Sequence, residues 1–357
     1  MAVFSISDLR FSAVCTALPI QVVRNQDLGL LSQTQTEAFA RSVGIQTRRV
    51  APASICASDL CVAAGRCLLD RAGLRPAEIG LLVFVTQTPD YPLPGNSMLA
   101  QRRLGLPAST YLVDLNQGCA GYVYGLASLA GLMSATGIEK GLVLAGDTLT
   151  RTVSSRDGST LPIFSDAGSA TLIERDLGAD LMYFNLGSQG QGADIIRIRG
   201  GGAREPFGPG SLVMGEESDN VARAPIHLAM RGIDVLHYCA KYVVPNIKEL
   251  LDFANIDRGT PDYYVFHQAN RIVNDCLVRQ LGIPADKAPE TLSEYGNTSC
   301  ASIPATMCCR LSERLACGPT KLLLSGFGSG FSWGSALISG KSVQCFEPLG
   351  INEADGR

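Results

Sequence analysis

Three residues suited to nucleophilic or acid–base chemistry lie where predicted strands give way to polar turns, and Cys119 is the first of them. The apolar segment YLVDL is followed by Asn-Gln-Gly and then by Cys119, which opens a long run of small and apolar residues with helical periodicity. The free N–H groups of a helix N-terminus favour a thiolate, so this position predicts a lowered pKa for the Cys119 thiol. A buried structural cysteine is the alternative interpretation.

His267 is the second candidate, and it is one of only three histidines in the chain. It follows the apolar strand YYVF and begins the tetrad HQAN, at the kind of strand end where α/β proteins present side chains to their sites. A nucleophilic cysteine commonly works with an imidazole, which favours a catalytic role for His267. His227 and His237 stand at helical spacing and are predicted to be packed or solvent-facing. A purely structural His267 remains the alternative.

Asn297 is the third candidate, in the polar turn YGNTS that precedes another small-residue helix. Its side chain can cap that helix, and its amide can also donate to a developing oxyanion beside His267; the two roles are compatible. The later segment SGFGSGFSWGSAL places glycines at a strand end, where a backbone N–H can complete an oxyanion hole for an acyl group on Cys119. A glycine-rich turn that only reverses the chain is the alternative.

The elements that must position these residues follow an α/β pattern, in which branched apolar runs alternate with longer segments of helical period. The segment 197–224, rich in glycine, proline and charge, is predicted to be a long loop of the kind that often covers a site. Strands are predicted at 80–86, 110–115, 141–145, 263–266 and 321–325, and helices at 57–72, 121–136, 233–254, 271–281 and 302–316.

The segments that carry the three candidates recur along the chain at an offset of about 180 residues. LLVFVTQT is similar to YYVFHQAN, LNQGCAGYVYGLASL to EYGNTSCASIPATM, and GLVLAGDTL to KLLLSGFGS. This repetition predicts two stacked copies of one α/β unit, residues 1–178 with the nucleophile and residues 179–357 with His267 and Asn297. Catalytic residues would then meet at the seam between the halves, unless the similarity arises by chance.

Composition excludes several other classes of protein. The 357 residues are 46% hydrophobic and carry a net charge of −3, which suits one large or two medium globular domains and argues against a nucleic-acid partner. No apolar stretch approaches the ~20 residues of a membrane span, and the N-terminal segment does not resemble a signal peptide, so a cytoplasmic protein is predicted. The twelve cysteines are dispersed without zinc-type spacing, and no metal site is predicted.

Taken together, four segments resemble those of the thiolase-fold condensing enzymes, specifically the β-ketoacyl-acyl carrier protein synthase III group. GCAGY resembles the family's nucleophile segment, HQAN its histidine motif, YGNTS its asparagine motif and GFGSGFSWGSAL its C-terminal glycine segment. The resemblance extends over about residues 11–337. It implies a five-layered α-β-α-β-α arrangement built from two duplicated halves, and a homodimer.

The resemblance also implies a mechanism. Cys119 would take an acyl group from coenzyme A or an acyl carrier protein, inside an oxyanion hole made by its own N–H and that of Ser329. A malonyl-type thioester would then lose carbon dioxide, with His267 and Asn297 stabilising the enolate, and the carbanion would attack the acyl group to give a β-ketoacyl product. No cofactor beyond the thioester substrates is implied.

Further residues are assigned by the same resemblance. Leu93 falls where a bulky aromatic closes the acyl pocket of acetyl-selective members, on a loop that crosses the dimer interface, and this indicates a longer acyl chain. Arg271 and Arg279 resemble the basic residues that members offer to an acidic carrier protein; a solvated helix face is the alternative. Ala38 and Ser42 stand where members that use coenzyme A often carry a tryptophan and an arginine.

Other functions remain open beside decarboxylative condensation. The acyl group of the same cysteine could pass to an amine or hydroxyl, or enter a head-to-head condensation of secondary metabolism. A catalytically silent subunit of a heterodimer is less favoured because such subunits usually lose the cysteine or the histidine. A cysteine hydrolase is disfavoured because no segment resembles a protease signature.

Overall fold

Apolar strands and small-residue helices alternate along the chain in the computed structural model, which describes residues 2–30, 32–218 and 220–355. The strands are β1 (Ala2–Ile6), β2 (Leu9–Pro19), β3 (Val22–Arg24), β4 (Thr47–Arg49), β5 (Leu81–Val85), β6 (Tyr111–Leu115), β7 (Lys140–Asp147), β8 (Ala167–Arg175), β9 (Met182–Ser188), β10 (Ile196–Ile198), β11 (Gly215–Ser218), β12 (Val221–Arg223), β13 (Leu228–Met230), β14 (Tyr263–Phe266), β15 (Thr320–Gly328), β16 (Ser332–Gly340), β17 (Gln344–Cys345) and β18 (Leu349–Ile351). The helices are α1 (Gln33–Val43), α2 (Ala57–Arg71), α3 (Asn96–Leu104), α4 (Gly121–Thr136), α5 (Gly232–Tyr238), α6 (Val244–Phe253), α7 (Arg271–Leu281), α8 (Leu292–Tyr295), α9 (Ser302–Arg310) and α10 (Ser312–Ala316).

Two mixed sheets form the frame of the molecule. The first has the strand order β17-β2-β8-β7-β5-β6, with β18 also paired to β2, and the second has the order β1-β9-β16-β15-β14. In the first sheet β5 is parallel to β7 and β7 is antiparallel to β8; in the second, β14 is parallel to β15 and β15 is antiparallel to β16. The repeated segments thus form the same pairing pattern twice, as expected of a duplicated unit.

The helices complete a five-layered α-β-α-β-α arrangement, which confirms the fold class predicted from the sequence. Helices α4 and α9 each contact strands of both sheets and lie between them, whereas α2 covers the outer face of the first sheet and α6 that of the second. The core between the sheets and the cores on the two outer faces are built from fully buried aliphatic and aromatic side chains. Within the described residues, none of the helices has both the length and the apolar character needed to cross a membrane.

Helix α4 lies close to its strands because its sequence is rich in small residues. A Cβ at Gly121 would lie 2.5 Å from a methyl group of Val85, and one at Gly125 would lie 2.8 Å from the other. Only glycine allows this approach. Because α4 begins two residues after Cys119, its close packing against β5 also fixes the depth at which Cys119 is buried.

Three predicted segments differ from the structure. The helix predicted at 233–254 consists of α5, a π-helical turn at Cys239–Val243 and α6; Pro245 has no N–H to continue the α-helical bonding pattern. The helix predicted at 302–316 is interrupted at Leu311, where φ is −123°. The segment 197–224 is not entirely loop, since it contains β11 and β12.

Candidate active site

Cys119 lies in the turn between β6 and α4, as the sequence predicts. The N–H of Gly121 donates to the carbonyl of Gly118 at 2.7 Å, which closes the turn around the cysteine. The Cys119 side chain is only 9% exposed. Gly328 approaches it from β15, and a Cβ at position 328 would lie 3.1 Å from Sγ, so only glycine leaves the thiol free.

The prediction that the pKa of Cys119 is lowered is wrong for the protein without substrate. Burial raises the pKa of the Cys119 thiol to about 12, although a hydrogen bond with Ser299 opposes the rise. The field of a helix N-terminus is worth about 0.3–2 kcal/mol, whereas burial shifts the pKa of a group by up to several units. Cys119 therefore rests as a thiol.

His267 follows β14 and is almost fully buried, with 1% of its surface exposed. Its backbone N–H donates to the carbonyl of Ser325 at 2.8 Å, and its Nδ1 lies 2.7 Å from Oγ of Ser302 at the start of α9. Phe327 packs edge-on against the imidazole, with ring centroids 5.4 Å apart. Burial lowers the pKa of His267 to about 3, so its imidazole is neutral at physiological pH. A cysteine–imidazolium ion pair is not the resting state of this site.

Asn297 is held in place by hydrogen bonds from both ends of its amide. Its Oδ1 accepts the N–H of Ser299 at 2.9 Å, and its Nδ2 donates to the carbonyl of Ala269 at 3.5 Å. Its backbone N–H donates to the carbonyl of Ile163 at 3.0 Å. Because Nδ2 carries two N–H groups, one of them is left to donate to a ligand.

The three candidates line one narrow cavity of about 50 Å³ at the seam between the repeated segments. Ser329 lines the same cavity, and its hydroxyl donates to the carbonyl of Ile196 at 3.4 Å. The wall is otherwise mainly apolar and includes β13, which pairs with β10 at the start of the segment predicted to cover the site. The lining residues with large apolar side chains are Leu149, Ile163, Phe164, Ile196, Leu228, Met230, Val235 and Phe327.

The other residues assigned from the sequence lie outside this cavity. Leu93 is 86% exposed on the loop before α3. Arg271 and Arg279 lie on α7, where Arg271 pairs with Glu290 at 3.4 Å and Arg279 is exposed. His237 is exposed, and Nδ1 of His227 accepts the backbone N–H of Ala224 at 2.9 Å, so neither histidine lines the cavity.

Sequence reasoning missed two buried polar residues beside Cys119. Oγ of Ser299 lies 3.9 Å from Sγ of Cys119, although the two residues are 180 positions apart in the chain. Asp147, at the end of β7, is fully buried and is close enough to affect the pKa of Cys119. A sequence signal existed for both, since Ser299 belongs to the YGNTS segment and an aspartate that ends an apolar strand is unusual.

Within 2–30, 32–218 and 220–355, the acidic, histidine and cysteine side chains form no cluster of three or more suited to a metal ion. The polar side chains that line the cavity include instead the imidazole of His267 and the amide of Asn297. Such donors stabilise negative charge that develops on an oxygen atom.

Comparison with known proteins assigns the chain to a family. The family model for 3-oxoacyl-[acyl-carrier-protein (ACP)] synthase III matches residues 113–190, which include Cys119, and the model for the C-terminal part of these enzymes matches residues 251–339, which include His267, Asn297 and Ser329. A β-ketoacyl-[acyl-carrier-protein] synthase III from Rhodopirellula baltica is 32% identical over 357 aligned residues, covering 94% of this chain and 99% of the relative.

Solved structures show the same relationship. A 3-oxoacyl-(acyl-carrier protein) synthase from Burkholderia xenovorans superposes with a TM-score of 0.92 at 31% identity and covers 98% of this chain and 99% of its own. The priming β-ketosynthase of the R1128 polyketide pathway superposes with a TM-score of 0.78 at 27% identity, covering 95% of this chain and 98% of its own. The resemblance seen in the four sequence segments is confirmed: the chain belongs to the β-ketoacyl-acyl carrier protein synthase III family of thiolase-fold acyltransferases, which are condensing enzymes.

Proposed function

We propose that the protein loads an acyl group onto Cys119 from an acyl-coenzyme A or acyl carrier protein thioester and condenses it with a malonyl-type thioester to give a β-ketoacyl product. The observation that carries the proposal is the convergence of Cys119, His267 and Asn297 on one mainly apolar cavity. A covalent thioester divides one difficult condensation into two easier steps. The reaction uses no cofactor beyond its thioester substrates.

The neutral state of His267 fits the condensation step. In the tautomer that carries its proton on Nε2, Nδ1 accepts from the Ser302 hydroxyl, and that hydroxyl accepts in turn from the N–H of Gln268 at 3.3 Å. The imidazole then presents an N–H donor, as does the Asn297 amide. Two neutral donors stabilise the enolate oxygen formed when the malonyl-type thioester loses carbon dioxide.

The acyl group is held by backbone donors in this proposal. The N–H groups of Cys119 and Ser329 form the oxyanion hole for the thioester carbonyl, and Gly328 keeps the space beside Sγ open. Ser329 replaces a residue that is commonly glycine in the family, but it contributes its backbone N–H and not its side chain, which is bonded to Ile196.

A loading assay tests the proposal and the acyl-chain preference together. The protein is incubated with coenzyme A and carrier-protein thioesters from acetyl to decanoyl, and the mass added at Cys119 is followed over time. We expect medium-chain donors to load faster than acetyl donors because Leu93 replaces a bulky aromatic residue. A clear preference for acetyl donors would contradict the chain-length proposal, and release of free acid as the only product would favour a hydrolase.

Two variants on the same loop sharpen this assay. Leu93→Phe adds bulk and is expected to shift the preference towards acetyl donors. Tyr91→Phe changes a neighbouring residue that is 57% exposed without adding bulk, and it should leave the chain-length profile unchanged.

Helix α7 offers the proposed docking surface for the acidic carrier protein. Arg279 is exposed, and Arg271 is partly exposed beside Glu290. Positive charge on such a surface increases the association rate of an acidic partner. The double variant Arg271→Glu/Arg279→Glu is expected to raise KM for carrier-bound substrate about tenfold at low ionic strength, while kcat/KM for small pantetheine thioesters stays the same.

The matched control for α7 is Arg75→Glu/Arg314→Glu, which changes the net charge equally at exposed positions on other elements. It should leave KM for the carrier close to the wild-type value. Equal losses with carrier-bound and small thioesters in the α7 variant would show that the arginines support the fold and not docking.

A homodimer is part of the proposal. Strand β6 is at the edge of the first sheet, and the large apolar side chains Tyr91, Leu93, Met98 and Tyr111 on or near it are 47–86% exposed. Exposed apolar surface beside a free strand edge favours pairing with a second copy. In such a dimer Leu93 would reach the acyl pocket of the partner subunit, which explains why it lies outside the cavity of its own chain.

We also propose that the chain divides into two halves, residues 1–178 and 179–357. Each half contributes its terminal strand or strands to the sheet of the other half. Strand β1 belongs to the second sheet, and β17 and β18 belong to the first. The cytoplasm is the proposed location, and it is supported by the twelve cysteines, all of which are free thiols.

The main alternative keeps acyl-Cys119 and changes the acceptor to an amine, a hydroxyl or a second acyl thioester. The paired donors His267 and Asn297 favour an enolate-forming step, because transfer to an amine or hydroxyl does not require one. Carbon dioxide release that matches product formation mole for mole would support decarboxylative condensation.

A further inference from the structure

Arg48, in the middle of β4, is a buried arginine that the proposed condensation does not use. Only 2% of its surface is exposed, and arginine is almost never buried to this extent unless its guanidinium has partners. Burial lowers the pKa of Arg48 to about 10, so the guanidinium stays protonated at physiological pH. Because a buried cation is costly to the fold, the groups that it binds are the guide to its role.

The guanidinium holds the chain segment 162–165, both directly and through Asn25. Its Nη1 donates to the carbonyl of Phe164 at 3.2 Å, and its Nε donates to Oδ1 of Asn25 at 2.8 Å. Nδ2 of Asn25 donates in turn to the carbonyl of Pro162 at 2.8 Å. Arg48 and Asn25 together therefore bind two alternate carbonyl groups of one short segment.

Asn297 binds the groups of the same segment that Arg48 and Asn25 leave free. Its backbone N–H donates to the carbonyl of Ile163 at 3.0 Å, and its carbonyl accepts the N–H of Ser165 at 2.8 Å. These two bonds form a parallel bridge centred on residue 164 of the segment. The segment thus links the buried guanidinium to the backbone of Asn297.

The residue before Asn297 also packs against Arg48. Gly296 has a φ of +61°, and a Cβ at this position would lie 3.3 Å from Cγ of Arg48 and 2.9 Å from Oγ of Ser165. The same Oγ accepts the backbone N–H of Arg49 at 3.0 Å, which ties the segment to β4 a second time. Arg48 therefore reaches Asn297 by two routes, through the segment and through direct packing against the turn.

We propose that Arg48 is a positioning residue that places the Asn297 amide for the condensation step. The proposal rests on the proposed function of the site and adds the group that holds one of its two enolate donors. An arginine presents its N–H groups in a rigid planar fork, so one guanidinium bound to both Asn25 and Phe164 fixes the segment in more than one direction. A lysine at position 48 would offer a flexible point charge in place of the fork.

A shift of this segment is expected to affect condensation more than acyl loading. Misplacement of a reacting group by about 1 Å can lower a rate about a hundredfold, and Asn297 acts on the enolate in the proposed mechanism. Cys119 is held instead by its own turn before α4, with Gly328 of β15 beside it. Phe164 also lines the cavity, so loading is compared at saturating donor to keep donor affinity out of the comparison.

The test replaces Arg48 with lysine, which keeps the positive charge and loses the fork. We expect single-turnover loading of Cys119 to stay within about threefold of the wild type, while kcat for condensation falls about ten- to a hundredfold. Intact mass follows loading, and product formed from a saturating malonyl-type thioester follows condensation. Asn25→Ala keeps the bond from the guanidinium to Phe164, so it should show the same split to a smaller extent, even if Arg48→Lys folds poorly.

The matched control is Arg175→Lys on β8. The guanidinium of Arg175 also donates to a backbone carbonyl, that of Met133 at 3.0 Å, which is not part of the segment 162–165. This variant should leave both rates close to the wild-type values. Melting curves establish which of the variants are folded.

Equal losses of loading and condensation in Arg48→Lys would overturn the proposal, because they would show general support of the fold, and so would unchanged condensation. The same split in Arg175→Lys, or loss of the folded state in both Arg48→Lys and Asn25→Ala, would also overturn it. Failure of the proposed function would appear instead in the wild-type protein, as absence of acyl mass on Cys119 or of a condensation product, and the positioning role would then fall with it.

Discussion

Replacing Cys119 with alanine is expected to abolish the acyl-enzyme and to reduce condensation by at least about 10³-fold, the largest effect predicted for any single substitution. Among the described residues that line the cavity, Cys119 is the one with a thiol, so the acyl group has no second thiol to attach to there. The enolate donors His267 and Asn297 remain in this variant. Decarboxylation of a malonyl-type thioester should therefore continue without a condensation product. Intact mass and carbon dioxide release measure the two outcomes separately.

The matched control is Cys61→Ala, which removes another fully buried thiol, on α2 and outside the cavity. This variant should load acyl groups at the wild-type rate. Condensation that persists in Cys119→Ala would contradict the covalent mechanism. Added acyl mass that persists in the same variant would show that another residue carries the acyl group.

Asn297→Ala is expected to give the second largest effect, with acyl loading retained and condensation reduced by about 10²–10³-fold. Removing one donor to an oxyanion typically costs this much in kcat. Loading does not need the enolate donors, because the acyl carbonyl is held by backbone N–H groups in the proposed mechanism. Single-turnover loading, followed by mass, and steady-state product formation separate the two steps.

The structural role of Asn297 must be separated from its proposed catalytic role. Alanine also removes the acceptor for the N–H of Ser299, and a buried N–H without a partner costs about 1–3 kcal/mol of stability. Asn297→Asp keeps an oxygen that accepts from Ser299 but lacks the amide donor. If the amide acts on the enolate, aspartate should condense as poorly as alanine; recovery of condensation in the aspartate variant would show that only the hydrogen bond from Ser299 matters.

Several elements were predictable from the sequence because their signal is local. Strand β14, helix α4 and helix α7 have the same bounds in the structure as in the prediction, since a period of two or 3.6 residues depends only on neighbouring positions. The break between α5 and α6 was missed, although Pro245 marks it, because the apolar period continues through the π-helical turn.

The catalytic candidates were also accessible from the sequence. Cys119, His267 and Asn297 each follow a strand or a polar turn in segments that repeat, and the repeat predicts that they meet. Their convergence on one cavity agrees with that prediction. The contributions of Arg271, Arg279 and Leu93 depend on partners that a single chain does not contain, and they stay predictions.

By itself, the sequence determined the α/β class, the duplicated arrangement and the candidates for the residues that carry the chemistry, because these follow from residue type, periodicity and order along the chain. Only the tertiary structure decided the protonation of the site. Whether Cys119 rests as a thiol depends on how deeply the packing of both halves buries it, and this burial outweighs the helix N-terminus. The approach of Ser299 and Asp147 to Cys119 also required the folded chain, since burial and hydrogen bonding depend on segments as far as 180 residues away.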